Sequence, residues 1–326
     1  MVQHAKNHTE AMTTILLLVL ACVWGGGTLF RVYRQARYYQ IEEYKSNRYL
    51  RWLLADRARW LHQRALLWFL LGAALAFFTD SIPGQTSILP YLLATITGLV
   101  AVWPPSEGEI KKAFKSTPRA QRLLGAAFTL AVIVLLLVVL LIPSLLGDSD
   151  RLLAVATAFS GLVAYLLAPL WLVLGNIVMA PVEARIRQRF IRQAREVLAT
   201  VRPKVIGITG SYGKTTTKNY LSDILNGRYK TYATPKSYNT MMGVCIAINN
   251  DLADDYSIEY FISEMGAYIP GEIARICDLT PPEIGIIVEV GPQHLERFGS
   301  LENIAIAKYE LIKALPKHGL GVFNYD

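Results

Sequence analysis

Five stretches without a charged residue punctuate the first 182 positions: Ala11–Phe30, Ala65–Thr79, Ser81–Ser106, Leu123–Gly147 and Leu152–Val182, of 20, 15, 26, 25 and 31 residues. About 20 apolar residues cross a bilayer as a helix, so four of the five are long enough. Ala65–Thr79 is short, but Trp60, Leu61, Trp68 and a snorkelling Arg64 extend it. Ser81–Gly84, with its Pro83-Gly84 pair, reads as a tight turn between two spans. The pattern predicts an α-helical transmembrane bundle of five helices over 1–182. A cleaved leader is the weaker reading of the first run, because no small-x-small site follows it and further spans do.

Beyond Pro181 the pattern changes twice. Val182–Leu198 carries Arg185, Arg187, Arg189, Arg192 and Arg195 at helical spacing. Residues 183–202 read as a basic linker helix, either lying near anionic headgroups or simply solvated. From 203 onward short apolar runs alternate with helical patterns. Strands are predicted at Val205–Ile208, Tyr229–Ala233, Ile258–Ser263, Ile284–Val290 and Gly321–Asn324. Helices are predicted at Lys214–Leu225 and near 241–250, 271–278 and 300–315. Such alternation implies an α/β domain with a mostly parallel sheet covered on both faces.

Charge refines this division. The chain of 326 residues has 33 Lys+Arg against 25 Asp+Glu, only 18% charged residues and 53% hydrophobic ones. Its mean hydropathy is +0.32. Disorder is excluded and a wholly soluble protein is disfavoured. Residues 1–180 have a net charge of +7 and 181–326 of +1, so the basic excess sits among apolar runs and does not point to nucleic acid. It clusters at 31–64, with nine Lys/Arg, and at 107–122, with Lys111, Lys112, Lys115, Arg119 and Arg122. Basic loops stay cytoplasmic, which predicts an outside N-terminus and a cytoplasmic segment from about 183, at the plasma membrane. No apolar run holds an ionisable residue, so anchoring is favoured over transport. Gly25-Gly26-Gly27 suggests close helix packing. Cys22, Cys245 and Cys277 make no CxxC pair, which argues against a zinc site or a disulfide framework.

The chemistry concentrates in Thr209-Gly210-Ser211-Tyr212-Gly213-Lys214-Thr215-Thr216, between a predicted strand and a predicted helix. Glycines let backbone N–H groups turn toward a phosphate chain, and the helix N-terminus adds partial positive charge. Lys214 suits the β/γ-phosphates of ATP, and the Thr215 hydroxyl suits Mg²⁺. The common phosphate-loop pattern wants glycine at 208, where this chain has Ile208.

That departure and four later blocks resemble the Mur ligase family, whose phosphate loop reads TGxxGKTT. The blocks are Ala233–Val244 with Asn239-Thr240, Ser263–Ala267 followed by Gly271-Glu272-Ile273, His294–Ser300 followed by Ile304–Glu310, and Gly321–Asp326. The pattern is most similar to the D-alanyl-D-alanine-adding branch and covers about 204–326. The resemblance implies ATP-dependent amide ligation through an acyl phosphate, in peptidoglycan precursor synthesis. Its partners would be a UDP-muramyl peptide and an amine such as D-alanyl-D-alanine. Glu264 would hold one Mg²⁺. His294 and a carbamylated Lys308 would hold a second, beside the acyl phosphate. Asn239 and Thr240 would meet substrate, and Asn324 and Asp326 the nucleoside. Taken singly, Glu264 is a capping or surface carboxylate, His294 a loop or core histidine and Lys308 a solvated helix lysine. The ordered set reverses those readings.

Three departures accompany the resemblance. Val288–Pro292 differs from the family's Thr-Asn type of segment, and apolar runs stand where the family's UDP-sugar-binding domain would be. The chain ends at the first part of the nucleoside motif, so the expectation is a fragment with an incomplete sheet, inactive alone. The rivals are a membrane-anchored nucleotide-binding scaffold and a transport-type ATPase. The latter lacks a second hydrolysis signature.

Overall fold

The computed structural model describes residues 2–79, 88–104, 113–146, 149–253 and 255–324. The Ser81–Gly84 turn, Lys111, Lys112 and Asp326 lie outside them. The chain divides into two compact units, Met1–Glu183 and Ala184–Asp326.

The first unit is helical: α1 (Val2–Ile41), α2 (Ser46–Leu54), α3 (Arg57–Trp60), α4 (Gln63–Phe78), α5 (Leu89–Val102), α6 (Pro118–Leu146), α7 (Asp150–Leu166) and the beginning of α8 (Ala168–Val201). Ala11–Ile41, Pro118–Leu146 and Ala168–Val201 are long and apolar enough to cross a membrane; α4 and α5 are shorter apolar helices. Two expectations need correction. First, α1 does not end at Phe30. It continues to Ile41, so Arg31, Arg34 and Arg37 stand on a helix rather than in a loop. Nothing breaks it until Glu43 and Tyr44, both at positive φ. Arg31 is only 4% exposed.

Second, Leu152–Val182 is not one helix but α7 followed by α8, with the break at Leu167. Pro169 has no N–H for the carbonyl four residues earlier, that of Tyr165. Arg31 Nη1 donates to that carbonyl at 2.9 Å, and Trp171 Nε1 donates to Ala164 O at 3.1 Å. The two helices nonetheless follow α1 in the same direction. Asp150 accepts from Thr13, Gly161 lies against Trp24, and Asn176 donates to Tyr44 O and Ser46. Glycines set the approach distances. A Cβ on Gly27 would lie 2.4 Å from Val102, and one on Gly25 would lie 2.8 Å from Leu135.

The second unit is an α/β sandwich. Its strands are β1 (Lys204–Thr209), β2 (Thr231–Ala233), β3 (Tyr260–Glu264), β4 (Ile284–Ile287) and β5 (Leu320–Phe323). They form one sheet in the order β2-β3-β1-β4-β5, with every pairing parallel. Helices follow the strands: α9 (Lys214–Asn226), α10 (Met241–Ala247) running into a π-helical turn at Ile248–Leu252, α11 (Glu272–Leu279), α12 (Leu295–Phe298) and α13 (Leu301–Lys313). Alternate strand residues feed two cores. Ile206, Ile208 and Ile262 meet Leu221 and Leu225 of α9 on one face. Val205, Phe261 and Met265 meet α10, α11 and α13 on the other. The basic segment is neither free nor fully solvated. Ile191, Ala194, Val197, Leu198 and Val201 form an apolar stripe of α8 packed on the second core, while Arg185, Arg187, Arg189 and Arg192 stay exposed.

Candidate active site

The site lies where β1, β3 and β4 end together. Parallel strands present all their C-terminal ends to one edge, so loops from distant sequence positions meet there. After β1 the chain turns through Gly210 at φ +151° and Gly213 at φ +78°. A Cβ at Gly210 would lie 2.3 Å from Val288 Cγ2, so both space and backbone angle demand glycine. Gly213 is the N-cap of α9, whose first turn leaves backbone N–H groups without helical partners.

Two residues of the loop brace it. The Ser211 N–H donates to Glu289 O at 2.5 Å, and its hydroxyl donates to Gly291 O at 2.9 Å. Thr209 Oγ1 donates to Met265 O at 2.8 Å. Both side chains are thus engaged within the protein. The bracing also explains why β4 stops at Ile287 rather than Val290. Glu289 and Gly291 leave the sheet to pair with Tyr212 and Ser211.

Lys214 folds back on its own loop, with Nζ donating to Gly210 O at 2.8 Å and Ser211 O at 3.0 Å. Burial lowers its pKa, and Glu264 opposes the shift. One helical turn later lies Lys218, only 1% exposed. Its Nζ stands 3.1 Å from Glu264 Oε2 and also donates to Lys236 O. The sequence reading passed over Lys218. Its spacing of four from Lys214, which puts both on one helix face, was the available signal.

Glu264, ending β3, is 1% exposed and gathers the site. Oε2 accepts from Thr215 Oγ1 at 3.0 Å, Oε1 accepts from Asn239 Nδ2 at 3.0 Å, and its own N–H donates to Thr234 Oγ1 at 3.1 Å. Gly266 N–H donates to Asn239 O at 2.7 Å, and a Cβ on Gly266 would strike Asn239 Cγ at 2.9 Å. Thr240 Oγ1 accepts from Gly243 N at 3.3 Å and caps α10.

His294 and Lys308 approach from the far side. His294 has φ +57° and ψ +34°, a left-handed conformation uncommon outside glycine. Its ring meets Tyr268 edge-on at 4.7 Å. Burial first, then Arg297, lower its pKa, with Lys308 and Lys214 adding to the shift. Lys308 on α13 is 3% exposed, with Nζ 5.8 Å from the Phe298 ring centre. Burial, reinforced by Lys214, pushes its pKa down to about 8. Lys214, His294 and Lys308 therefore feel one another's charge. Two other motif carboxylates shape the site instead. Glu272 accepts from Tyr268 N at 2.7 Å. Glu310 accepts from Ala274 N at 2.9 Å and from Gly271 N, at the start of α11. Asn324 follows β5, its N–H donating to Ile287 O at 3.1 Å.

Among the described residues no three His, Cys, Asp or Glu side chains form a ready metal cluster. The donors present are a hydroxyl and a carboxylate beside a phosphate loop. That set fits Mg²⁺, which commonly binds through one or two carboxylates plus substrate phosphates.

The Mur ligase middle domain model matches residues 208–326. That segment is similar to a Mur ligase middle domain. The chain is 40% identical over 122 residues to the UDP-N-acetylmuramoyl-tripeptide–D-alanyl-D-alanine ligase of Mycobacterium leprae, a match covering 37% of this chain and 23% of that protein. It is 34% identical over 158 residues to the enzyme of that name from Escherichia coli, covering 46% and 34%. Among solved structures it is similar to MurF ligase from Thermotoga maritima in complex with ADP, with 36% identity, a TM-score of 0.40, and coverage of 43% of this chain and 32% of that one. The chain thus spans about a quarter to a third of the length of these curated relatives. Within the matched segment lie the phosphate loop, Glu264, His294 and Lys308; α8 precedes it.

Proposed function

We propose that residues 184–326 bind ATP with Mg²⁺ and activate a carboxylate as an acyl phosphate for conversion to an amide, as part of peptidoglycan precursor ligation. The carrying observation is Glu264. It is a buried carboxylate held between the phosphate-loop hydroxyl of Thr215, the Lys218 ammonium and the Asn239 amide. The relatives' name supplies the substrate class, a UDP-muramyl tripeptide and D-alanyl-D-alanine.

In this reading a substrate carboxylate oxygen attacks the γ-phosphorus, the bridge to the β-phosphate breaks, and ADP leaves. The amine nitrogen then attacks the acyl carbon, loses a proton, and phosphate departs. Lys214 gives a fixed positive charge to the β/γ-phosphates, and the open N–H groups of α9 donate to the remaining anionic oxygens. Thr215 and Glu264 would hold Mg²⁺, which supplies charge neutralisation for the transferring phosphoryl group. His294 and Lys308 would serve a second ion. For that role the Lys308 ammonium would lose one proton, and the neutral Nζ would add CO₂ with loss of a second, which turns a buried cation into an oxygen-donor anion. A cavity of about 510 Å³ bordered by Thr240, Gly266, Tyr268, Arg195 and Arg275 adjoins this edge and offers room for the acceptor. Asn324 and Asp326 would contact the nucleoside.

The first unit is read as a plasma-membrane anchor with the ATP-binding unit on the cytoplasmic side. Three helices of sufficient length and apolarity support it, as do basic residues grouped between alternate spans.

Hydroxylamine trapping tests the chemistry without the amine substrate. The full chain in detergent, given ATP, Mg²⁺, UDP-muramyl tripeptide and hydroxylamine, should yield a hydroxamate detectable by mass spectrometry. Absence of hydroxamate while nucleotide and tripeptide both bind would overturn acyl-phosphate formation.

A further inference from the structure

The helical unit contains a cavity of about 420 Å³ at the end that carries its basic residues. It is bounded by α1, α2, α3, the start of α4, and the ends of α5 and α7. Arg31, Arg34, Arg59 and His62 line it, with Trp52 and Tyr165 as aromatic walls, and no carboxylate is among the described lining residues. A preference for basic loops on one face of a membrane explains exposed arginines. It does not explain Arg31, which is 96% buried by its 4% exposure.

Arg31 is held rigidly. Nη1 donates to Tyr165 O at 2.9 Å, Nη2 donates to Trp60 O at 2.8 Å, and the guanidinium lies 4.7 Å from the centre of the Tyr165 ring. Those partners are carbonyl dipoles and a π-face, so among the described residues its full charge has no counter-ion. Its buried Nε has no hydrogen-bond partner among the described residues. Arg59 is also fixed, with Nη1 donating to Trp52 O at 2.5 Å and its guanidinium 4.6 Å from the Trp52 ring centre. Asp56, 3.7 Å from Arg59 Nε, is exposed and does not line the cavity. Converging guanidinium groups of this kind match phosphate oxygens in shape and charge. The volume lies in the range of small-ligand sites, beyond what a lone phosphate fills. Part of the rim is apolar: Phe30, 47% exposed on α1, and Val102 on α5.

We infer that this cavity binds the phosphate headgroup of an anionic lipid. The arginines hold the phosphate, and the Phe30–Val102 rim passes the chains to the apolar flank of the helices. The lipid source rests on reading this unit as membrane-embedded; the phosphate chemistry does not.

The test uses the full chain in detergent and measures binding by microscale thermophoresis. The probes are short-chain phosphatidic acid, short-chain phosphatidylcholine and inorganic phosphate. Phosphatidic acid should bind at least tenfold more tightly than either of the others. Arg34→Gln should weaken it about tenfold, and so should Ala58→Trp, which fills the cavity from an exposed position without removing charge. Arg57→Gln, the same charge change outside the cavity lining, should leave it within twofold. An unchanged melting midpoint of the helical unit, followed by tryptophan fluorescence in the phosphate-free chain, would show that each variant is folded there, and because the readout is lipid binding it is separate from any failure of the ligase reading. Equal binding of phosphatidic acid and inorganic phosphate, lost together in Ala58→Trp, would overturn the lipid source. Wild-type binding of phosphatidic acid by Ala58→Trp would overturn the site itself.

Discussion

The two units expose opposite kinds of residue. In α6 the buried positions include Ala120, Ala127 and Ala131, while Leu140 and Leu145 are 72% and 77% exposed. In α11 the pattern is reversed: Ile273, Ile276, Cys277 and Leu279 are buried, and Arg275 and Asp278 face outward. Water rewards the second arrangement through removal of apolar surface. The first gains little from water and suits an apolar surrounding, where close approach of small residues holds helices together. The bilayer proposal draws on this inversion. Charge follows the same division. The second unit pairs its buried lysine Lys218 with Glu264, whereas the first leaves Arg31 on carbonyl oxygens.

Removing one member of the buried pair is the harshest way to test this contrast. Glu264→Ala leaves the Lys218 ammonium inside the protein with only the Lys236 carbonyl. Loss of one partner of a buried pair costs about 3–5 kcal/mol. Calorimetry should show the second unit melting far earlier while the helical unit is unmoved. The double change Glu264→Gln with Lys218→Met should recover part of the loss. A shift below about 1 kcal/mol would mean that water reaches the pair and screens it.

Lys214 separates chemistry from stability. Among the described residues its ammonium bonds to Gly210 O and Ser211 O alone, both on the loop itself. Lys214→Ala should therefore keep the fold and weaken ATP binding by about 1.5–3 kcal/mol, roughly ten- to 150-fold in Kd. Isothermal titration with unchanged affinity would remove this loop from the nucleotide site.

The phosphate loop was legible in the sequence because its signal is local. Gly210 and Gly213 are required by backbone angles and one close contact, and the flanking strand and helix announce themselves by period. Tertiary partners were not legible. Glu264, Glu272 and Glu310 look alike as acidic motif positions, yet one faces the phosphate loop and two tie down the start of α11 and the loop before it. The helix break at Leu167 was hidden because Pro169 sits inside an unbroken apolar run. What makes the break tolerable, Arg31 on the Tyr165 carbonyl, lies 134 positions away. Likewise the apolar stripe of α8 could be seen as a stripe, but not what it packs against.

Within the helical unit, a tight glycine contact offers a smaller perturbation. A Cβ on Gly161 would stand 2.3 Å from Trp24 Cγ and 2.4 Å from Trp24 Cβ. Trp24 is fully buried and cannot swing aside. Gly161→Ala should cost about 1–3 kcal/mol through overpacking. Thermal unfolding in detergent, followed by tryptophan fluorescence, should show the drop while nucleotide affinity holds. An unchanged midpoint would mean that α1 and α7 separate easily, and that the small-residue packing of this unit is looser than the close approach implies.

The smallest expected effect distinguishes motif residues that perform chemistry from those that shape it. Ser300 closes the His294–Ser300 block, beside two residues proposed to hold metal. Its hydroxyl nevertheless accepts from Asn303 N at 3.2 Å as the N-cap of α13. The helix it starts carries Lys308 at its buried face and Glu310 against the N-terminus of α11, so the cap fixes where both side chains begin. Replacing a serine cap by alanine costs about 1 kcal/mol. Ser300→Ala should lower the melting midpoint of the second unit by that amount, and ATP affinity of the folded fraction should stay within twofold. Ser300→Asp, which also caps and places negative charge at the helix start, should restore the midpoint. A large loss of ATP affinity in Ser300→Ala that Ser300→Asp does not repair would give this hydroxyl a direct part in the site rather than a place beneath it.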